Sequence, residues 1–391
     1  MAIRTGTAHR MADLVFFSLR TVLTPTAMIQ LLLGWGSVLG LAMVGPVLDG
    51  PFITTALVTL LGAIIGIVIL CAFGVVRQAE HLAHRLGEPY GTLVLTLSIV
   101  IIEVVLISSV MLGPSEQQTI ARDTVMAVSM IILNLVVGVA LLVGATRHAN
   151  LQPNRTGASC YLTILAVFLV VAFALPHFLG DDGVYAPLPA SVVVVLTLSM
   201  YGYFLYRQMG QQRSDFQEIT AVDSTMPDPA QQSTTVVLKH HRGEIVARSI
   251  VLVITVIPIV LLSHDMAALL DEALERLGAP MALSGIVIAT IVFLPETITA
   301  IRAASLGQMQ RISNLCHGAL VSTVGLTIPA VLVIGLITAQ PVVLAESPEH
   351  LLLLALTLFV TTAWMLGKKA TALHGAVHLM TFGLYLLVVF A

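Results

Sequence analysis

Charged residues are scarce in this chain, and that scarcity excludes most soluble folds. Of the 391 residues, 57% are hydrophobic and only 10% are charged. One or two soluble cores could not bury so much apolar surface, so the composition predicts an all-α polytopic membrane protein in a lipid bilayer. The net charge of −3 says little about partners, because the position of each Lys and Arg matters more than their sum.

Cysteines and catalytic motifs are also sparse. The three cysteines, Cys71, Cys160 and Cys316, lie in or beside apolar runs and form neither a disulfide framework nor a metal-ligand spacing. The apolar runs contain no Ser/His, paired-Asp or zinc motif of a membrane-embedded enzyme. We therefore expect no enzymatic activity, no cofactor and no nucleic-acid partner. The sequence makes no prediction about the oligomeric state.

Long apolar runs dominate what is present. Eleven runs have about 18 residues or more, the length that crosses roughly 30 Å of hydrocarbon. They lie near 27–48, 53–73, 91–112, 124–145, 160–179, 187–206, 246–263, 281–302, 314–338, 350–366 and 371–390. The prediction is a bundle of eleven transmembrane helices.

The basic residues predict the orientation of this bundle. With the N-terminus in the cytoplasm, only Arg122 and Arg276 of the 18 Lys and Arg fall outside, which leaves 16 on the cytoplasmic side. Ala391 then ends outside the cell, and the predicted location is the cell inner membrane. The polar lead Met1–Thr24 lacks a small-residue cleavage site, so we do not expect a cleaved signal peptide.

Two carboxylates lie inside the predicted spans. Glu103 is near the centre of the run Gly91–Gly113, and Glu296 lies within Met281–Arg302; every other acidic residue is expected in a connection or at a span end. An ionised carboxylate at the bilayer centre costs about 2.5 to 3.5 kcal/mol even on the lenient insertion scale, so each needs a partner, a proton or an ion. Packing alone is the weaker explanation, because the two are related by an internal repeat.

The repeat is visible in the motif Arg-Leu-Gly-x-Pro, at Arg85–Pro89 and again at Arg276–Pro280. Each copy precedes a span that carries a glutamate. Five crossings per copy is an odd number, so the two copies must have opposite orientations in the membrane, as in the inverted repeats of secondary transporters. The predicted organisation is a lead and first helix (1–50), a first repeat (51–206), a flexible cytoplasmic linker (207–245) and a second repeat (246–391).

Glu103 and Glu296 should face one another across the pseudo-two-fold axis. Two carboxylates in a low-dielectric site cannot both stay ionised without a cation, so the empty site should hold one or two protons. Ca²⁺ takes six to eight oxygen ligands, and Asn134, Ser322, Thr323 and carbonyls near the helix-breaking Pro295 are the remaining oxygens we would recruit. Protons and cation then compete for the same groups, which together with alternating access is antiport.

The chain resembles a known family at these residues. The motifs Arg77-Gln-Ala-Glu-His-Leu-Ala-His-Arg-Leu-Gly-Glu-Pro-Tyr-Gly91, Ile101-Ile-Glu-Val104 and Pro295-Glu-Thr-Ile-Thr-Ala-Ile-Arg302 are similar to those of the calcium/cation antiporter superfamily, in its cation/proton exchanger branch, and closest to the bacterial ChaA-type calcium/proton and sodium/proton antiporters. The resemblance implies that Glu103 and Glu296 are ion-binding glutamates, with Asn134 and Ser322 at polar positions of the following helices. The Asn expected just before each glutamate is absent.

Alternatives remain open at this point. Na⁺ or K⁺ in place of Ca²⁺ is the nearest, because the missing Asn oxygens reduce the ligand count. A passive channel is a third class, which the inverted repeats disfavour. Asn134 and Ser322 could join helices rather than bind a cation. His374 and His378 lie at i and i+4 on the last span; packing is favoured over a proton relay.

Overall fold

A computed structural model describes residues 22–48, 54–86, 90–111, 118–148, 151–218, 242–280 and 282–391. These residues form eleven long helices, and ten of them have the length and hydropathy of a membrane span over their described residues. In chain order they are α1 Pro25–Leu48, α2 Thr54–Leu86, α3 Tyr90–Met111, α4 Ile120–Arg147, α5 Arg155–His177, α6 Pro187–Met209, α7 Arg242–Leu277, α8 Ala282–Ser305, α9 Met309–Thr338, α10 Pro348–Met365 and α11 Ala372–Phe390. The prediction of an all-α polytopic membrane protein is confirmed.

Two helices continue well beyond their apolar runs. The predicted ends at 73 and 263 are too early, because α2 runs on to Leu86 and α7 to Leu277. A hydropathy pattern stops where polar residues begin, whereas Ala, Leu, Glu and Arg in those extensions are good helix formers. Acidic residues such as Asp265 therefore lie inside a helix and not in a connection.

The second copy of Arg-Leu-Gly-x-Pro ends α7. Gly278 adopts a left-handed conformation, with φ of +61°, and the N–H of Ala279 donates to the Leu274 carbonyl at 3.0 Å. This is a common helix-ending arrangement, and it supports a structural role for the motif. In the first copy, residues 87–89 lie outside the described residues, as do the N-terminal lead through residue 21 and linker residues 219–241.

The chain divides into two compact units, Met1–Ile102 with Val222–Met266, and Glu103–Ala221 with Ala267–Ala391. In the described part of the first unit, α1 packs on α2 and on the first part of α7. Gln30 Nε2 donates to the Leu70 carbonyl at 2.9 Å, and Trp35 Nε1 donates to the Ile254 carbonyl at 3.3 Å. The second unit holds Glu103, Glu296 and the other predicted site residues.

Within the second unit, α4 and α9 form the centre. The apolar windows of these helices are 83% and 67% buried, more than those of any other helix with a described window. Each contains a π-helical segment, Ile131–Val136 in α4 and Asn314–Gly318 in α9. Such segments widen the helix locally and occur frequently at functional sites. Both lie in the third helix of a predicted repeat.

A small hairpin joins α5 to α6 and was not expected from the sequence. Strands β1 Gly180–Asp181 and β2 Val184–Tyr185 pair antiparallel around Asp182 and Gly183, which both have positive φ. Asp-Gly is a favoured sequence for such a two-residue turn. The Gly183 carbonyl accepts from the N–H groups of Leu344 and Ala345, so the hairpin holds the connection between α9 and α10.

The described start of the linker docks onto the second unit. Phe216, in the 3-10 turn Arg213–Phe216, is buried, and Glu218 accepts from the N–H groups of Gln310 and Arg311 at the start of α9. Burial raises the pKa of the Glu218 carboxyl, although its bonds to backbone N–H groups act in the opposite direction. A helix N-terminus offers unpaired donors of this kind.

Candidate functional site

Glu103 on α3 is the first member of the site. Its side chain is 0% exposed, and its Oε2 accepts a hydrogen bond of 2.7 Å from the Thr323 hydroxyl on α9. Residues 103 and 323 are far apart in the sequence, so the fold of the second unit brings them together. A hydrogen bond to a charged group contributes about 1.5 to 3 kcal/mol. The fold therefore places the Thr323 hydroxyl at the acidic site, whereas its role as a cation ligand stays a prediction.

Glu296 on α8 is the second member, and its side chain is 5% exposed. Its carboxylate and that of Glu103 lie close enough to interact electrostatically. Three of their four oxygens, Glu103 Oε1 and both Glu296 oxygens, are buried without a hydrogen-bond partner among the described residues. Nearly all buried polar groups in folded proteins are paired, so three orphaned carboxylate oxygens in one place require a ligand or a proton.

A small cavity borders Glu296. Its volume is about 10 Å³, roughly the space of one water molecule. Three helices supply the lining: Ile132 and Val136 from α4, Phe293, Glu296 and Thr297 from α8, and Leu315 and Cys316 from α9. Pro295 has no N–H for the carbonyl one turn earlier in α8, so this backbone oxygen lacks its usual intrahelical donor.

Asn134 points away from this cavity. It lies between Ile132 and Val136, and residues two positions apart on a helix lie on nearly opposite faces. Its amide Nδ2 donates to the Thr357 hydroxyl on α10 at 2.9 Å, and its Oδ1 is 3.1 Å from His378 Nδ1 on α11. In this conformation the amide is directed towards α10 and α11 and not towards the cavity. Cation ligation by Asn134 therefore has no support from this geometry and stays a prediction.

His378 is held in a single protonation form by its neighbours. The indole Nε1 of Trp364 can only donate, and it donates to His378 Nε2 at 2.9 Å. That nitrogen must therefore be unprotonated, so the ring proton is on Nδ1 and is donated to Asn134 Oδ1. The hydrogen-bond network continues from Asn134 to Thr357, whose hydroxyl donates to the Leu353 carbonyl. The network thereby fixes which way the Asn134 amide faces.

The other predicted residues have defined partners. The Ser322 hydroxyl donates to the Gly318 carbonyl and accepts from the Tyr201 hydroxyl, both at 3.0 Å. Its role as a ligand stays a prediction. His374 takes part in a capping box with Thr371 at the start of α11, whereas His378 is bonded to Trp364 and Asn134, and a proton relay between the two stays the less favoured prediction. A lone histidine in an apolar span was the available signal for His378, but its partners were not visible in the sequence.

We expect His378→Ala to destabilise the protein more than Trp364→Phe. The first change leaves the Trp364 indole N–H and the Asn134 amide oxygen buried and unpaired, a cost of roughly 1 to 3 kcal/mol for each group. The second leaves one such group, His378 Nε2, without its donor, and keeps part of the buried ring in place. Thermal unfolding of the detergent-purified protein measures the difference, with Met380→Ala as a control on the same helix, because Met380 is 67% exposed. Equal unfolding temperatures for His378→Ala and the control would contradict the network.

Comparison with known proteins decides the family. Residues 55–210 and 248–391 match the family model described as "Sodium/calcium exchanger protein". The chain belongs to the sodium/calcium exchanger family. Membership of this family confirms the resemblance to the calcium/cation antiporter superfamily, and it makes the protein a secondary transporter of small cations.

Two relatives in this family have substantial sequence identity. The chain is 32% identical over 391 residues to the sodium-potassium/proton antiporter ChaA of Escherichia coli, with 98% of each chain covered. It is 36% identical over 325 residues to the putative ionic transporter y4hA of Sinorhizobium fredii, covering 82% of this chain and 86% of the relative. Antiport of cations is the activity that this family membership supports.

Solved structures share the fold of this family member. Native YfkE superposes with a TM-score of 0.68 at 17% identity, covering 92% of this chain and 99% of YfkE. The H⁺/Ca²⁺ exchanger CAX superposes with a TM-score of 0.65 at 14% identity, covering 93% and 89%. At such identities the likeness establishes the fold alone.

Proposed function

We propose that the protein exchanges cytoplasmic Ca²⁺ for external H⁺ at a site built around Glu103 and Glu296. The observation that carries the proposal is the set of three orphaned oxygens on two mutually repelling, buried carboxylates. Thr323 holds one of these carboxylates in place through its hydroxyl.

The charges of the pair explain why exchange follows from a single site. Two ionised carboxylates carry a charge of −2, which one Ca²⁺ or two protons neutralise equally well. Since a low-dielectric environment penalises any net charge, the occupied states exclude one another. Cation release then requires protonation, and alternating access turns this competition into antiport.

The pair has too few oxygens to coordinate Ca²⁺ alone, so we expect water among the ligands. The two carboxylates supply at most four oxygens, and Ca²⁺ takes six to eight. Thr323 and the carbonyl one turn before Pro295 in α8 are the nearest further candidates in our proposal. Asn134 and Ser322, the other predicted ligands, would have to exchange a present hydrogen bond for the cation.

Na⁺ or K⁺ exchange for H⁺ at the same site is the second candidate. Val100 and Phe293 stand where the family pattern has an Asn oxygen, and the Asn134 oxygen already accepts from His378. One monovalent cation and one proton neutralise the pair as well as one Ca²⁺ does. The Escherichia coli relative is named a sodium-potassium/proton antiporter, whereas YfkE and CAX are described as Ca²⁺/H⁺ exchangers.

We also propose the predicted orientation and repeat organisation. The N-terminus lies in the cytoplasm of a cell inner membrane and the C-terminus outside, and residues 51–206 and 246–391 are inverted repeats joined by the linker 207–245. The asymmetry of Lys and Arg supports this arrangement.

The decisive experiment uses everted membrane vesicles with an acidic interior and a fluorescent pH indicator, from a host without endogenous cation antiporters. Addition of Ca²⁺ to wild-type vesicles is expected to dissipate the pH gradient, whereas Na⁺ or K⁺ at equal ionic strength leaves most of it. The exposed Glu349 provides the control Glu349→Gln, which should behave as wild type.

Other results select other functions. Dissipation by Na⁺ or K⁺ and not by Ca²⁺ would establish the second candidate. Isotope uptake without proton movement would rule out proton antiport.

A further inference from the structure

A second buried ionic cluster lies at one end of the second unit, where α4 and α10 begin and α5 ends. It consists of Arg122, Asp123, Glu346 and His350, which none of the site assignments above uses. Glu346 is the most buried member, with a side chain that is 3% exposed. A carboxylate buried this deeply in a connection between helices calls for a specific compensating charge.

One guanidinium serves two carboxylates in this cluster. Arg122 Nε is 2.8 Å from Asp123 Oδ1 and 3.8 Å from Glu346 Oε1. Asp123 also accepts from the Thr119 hydroxyl at 2.9 Å. Arg122 therefore interacts mainly with Asp123. One positive charge faces two carboxylates, so the carboxylate of Glu346 is the one without a close opposite charge from Arg122.

His350 compensates the charge on Glu346. Its Nδ1 is 2.9 Å from Glu346 Oε2, which also accepts from the N–H of Ser347 at 3.1 Å. Two buried atoms in this pair have no hydrogen-bond partner among the described residues, Glu346 Oε1 and His350 Nε2. An imidazole with one nitrogen on a carboxylate and the other unpaired can take up a proton at the free nitrogen.

The backbone around Glu346 is fixed on several sides, so the geometry of this pair is preorganised. The Glu346 N–H donates to the Phe173 carbonyl at 3.1 Å, and its carbonyl oxygen is 2.8 Å from His177 Nε2 at the end of α5. On α11, the Tyr385 ring is 5.6 Å from the His350 ring, and its hydroxyl interacts electrostatically with Glu346 and Asp123. The titratable and charged groups that face the pair are thus Arg122, Asp123, His177 and Tyr385, together with the exposed Glu349 next to His350 on α10.

We propose that Glu346 and His350 form a proton-binding site, separate from the paired glutamates, that sets the pH dependence of exchange from this end of the protein. The ligand is a proton, for which the pair offers one free imidazole nitrogen and one carboxylate oxygen that has only the Arg122 guanidinium, at 3.8 Å, beside it among the described residues. A proton that binds at His350 Nε2, with release of the Nδ1 proton to Glu346 Oε2, leaves the ring neutral and the carboxyl protonated. The role in exchange rests on the proposed function, whereas proton binding by the pair does not.

Infrared difference spectroscopy of the purified protein tests proton binding directly. A shift from alkaline to acidic pH is expected to produce a carboxyl C=O band that Glu346→Gln abolishes, and that His350→Gln shifts to another pH, because glutamine can donate to Glu346 without titrating. The control Glu349→Gln removes an exposed carboxylate next to His350 and should leave that band intact. A wild-type spectrum with no band lost in Glu346→Gln overturns the proposal, whether or not the protein transports.

Transport assays test the coupling. The wild-type exchange rate is measured in vesicles of both orientations, with the pH varied on one side at a time. It should change about tenfold per pH unit when the varied side is the one that this cluster faces, and His350→Gln should flatten this dependence of rate on pH. Self-exchange of isotopic cation, which needs no proton, should keep its wild-type rate in Glu346→Gln and in His350→Gln. Loss of self-exchange together with proton exchange would mean that the cluster only supports the fold, and an unchanged pH profile in folded variants would equally contradict a role in exchange. A wild type that moves cations without protons would instead refute the proposed function.

Discussion

Replacement of either buried carboxylate by its amide, Glu103→Gln or Glu296→Gln, is expected to abolish proton-coupled exchange. The amide keeps the size of the side chain but removes one of the two charges. With one carboxylate left, a bound Ca²⁺ carries a net positive charge within the membrane, at a cost of about 2.5 to 3.5 kcal/mol. The affinity for the cation should fall roughly a hundredfold, and only one proton remains to be exchanged.

The two variants should differ in their effect on stability. Glu296 has no hydrogen-bond partner among the described residues, and beside Glu103 it can stay in the empty protein only with a proton on the pair. Glu296→Gln removes this requirement, because the amide is neutral. We expect the unfolding temperature of the empty protein to stay the same or rise while transport is lost. The glutamine in Glu103→Gln can still accept from Thr323 through its amide oxygen.

Everted vesicles and detergent-purified protein supply the two measurements, transport and thermal unfolding. Glu349→Gln is the control, because it removes an exposed carboxylate from α10. Thr323→Val, which removes only the hydroxyl bonded to Glu103, should retain part of the exchange activity. Wild-type exchange in both glutamine variants would dismiss the paired-glutamate site. A loss of transport that parallels a loss of folded protein would equally count against it.

The helices and the acidic pair could be predicted because each depends on a strong local signal. Apolar runs of membrane length fix where a helix must be, and a carboxylate within such a run, as at Glu103 and Glu296, is costly enough to need a partner, a proton or an ion. Thr323 was predictable as well, since the repeat places it in the helix after Glu296. The helix ends at Leu86 and Leu277 were not, because polar extensions carry no hydropathy signal.

The direction of a polar side chain depends on tertiary packing, and for that reason the present partners of Asn134 could not be predicted from the sequence. Its sequence position in the centre of α4 suited a ligand, but only the packing of α10 and α11 reveals that Thr357 and His378 already bond its amide. The cluster at Glu346 was also invisible. Arg122 and Glu346 are more than 200 residues apart in the sequence, and the hairpin that fixes the connection before Glu346 is formed by only two residues per strand.

Gly375→Leu is expected to prevent α11 from packing on α4. A Cβ atom at Gly375 would lie 2.6 Å from the Gly138 carbonyl oxygen and 3.0 Å from the Leu142 nitrogen, so the two backbones touch with no room for a side chain. Close approach of helices through small residues is common in membrane proteins, where association depends on packing and interhelical hydrogen bonds. Forcing a side chain into such a contact typically costs about 1 to 3 kcal/mol.

The loss should exceed that of overpacking alone. Gly375 lies one turn before His378 on α11, and Gly138 lies one turn after Asn134 on α4, so the glycine crossing sets the 3.1 Å separation of His378 Nδ1 and Asn134 Oδ1. Displacement of α11 leaves these two groups buried and unpaired, at roughly 1 to 3 kcal/mol each. We therefore expect little folded protein from Gly375→Leu.

Gly383→Leu is the matched control, because a Cβ atom at Gly383, two turns further along α11, meets nothing within 4 Å. It adds the same side chain to the same helix and should unfold at the wild-type temperature. Thermal unfolding and gel filtration in detergent compare the two variants. If both behave alike, the approach of α11 to α4 at Gly138 does not determine the stability of the second unit, and the hydrogen bond between Asn134 and His378 must be held by α10 instead.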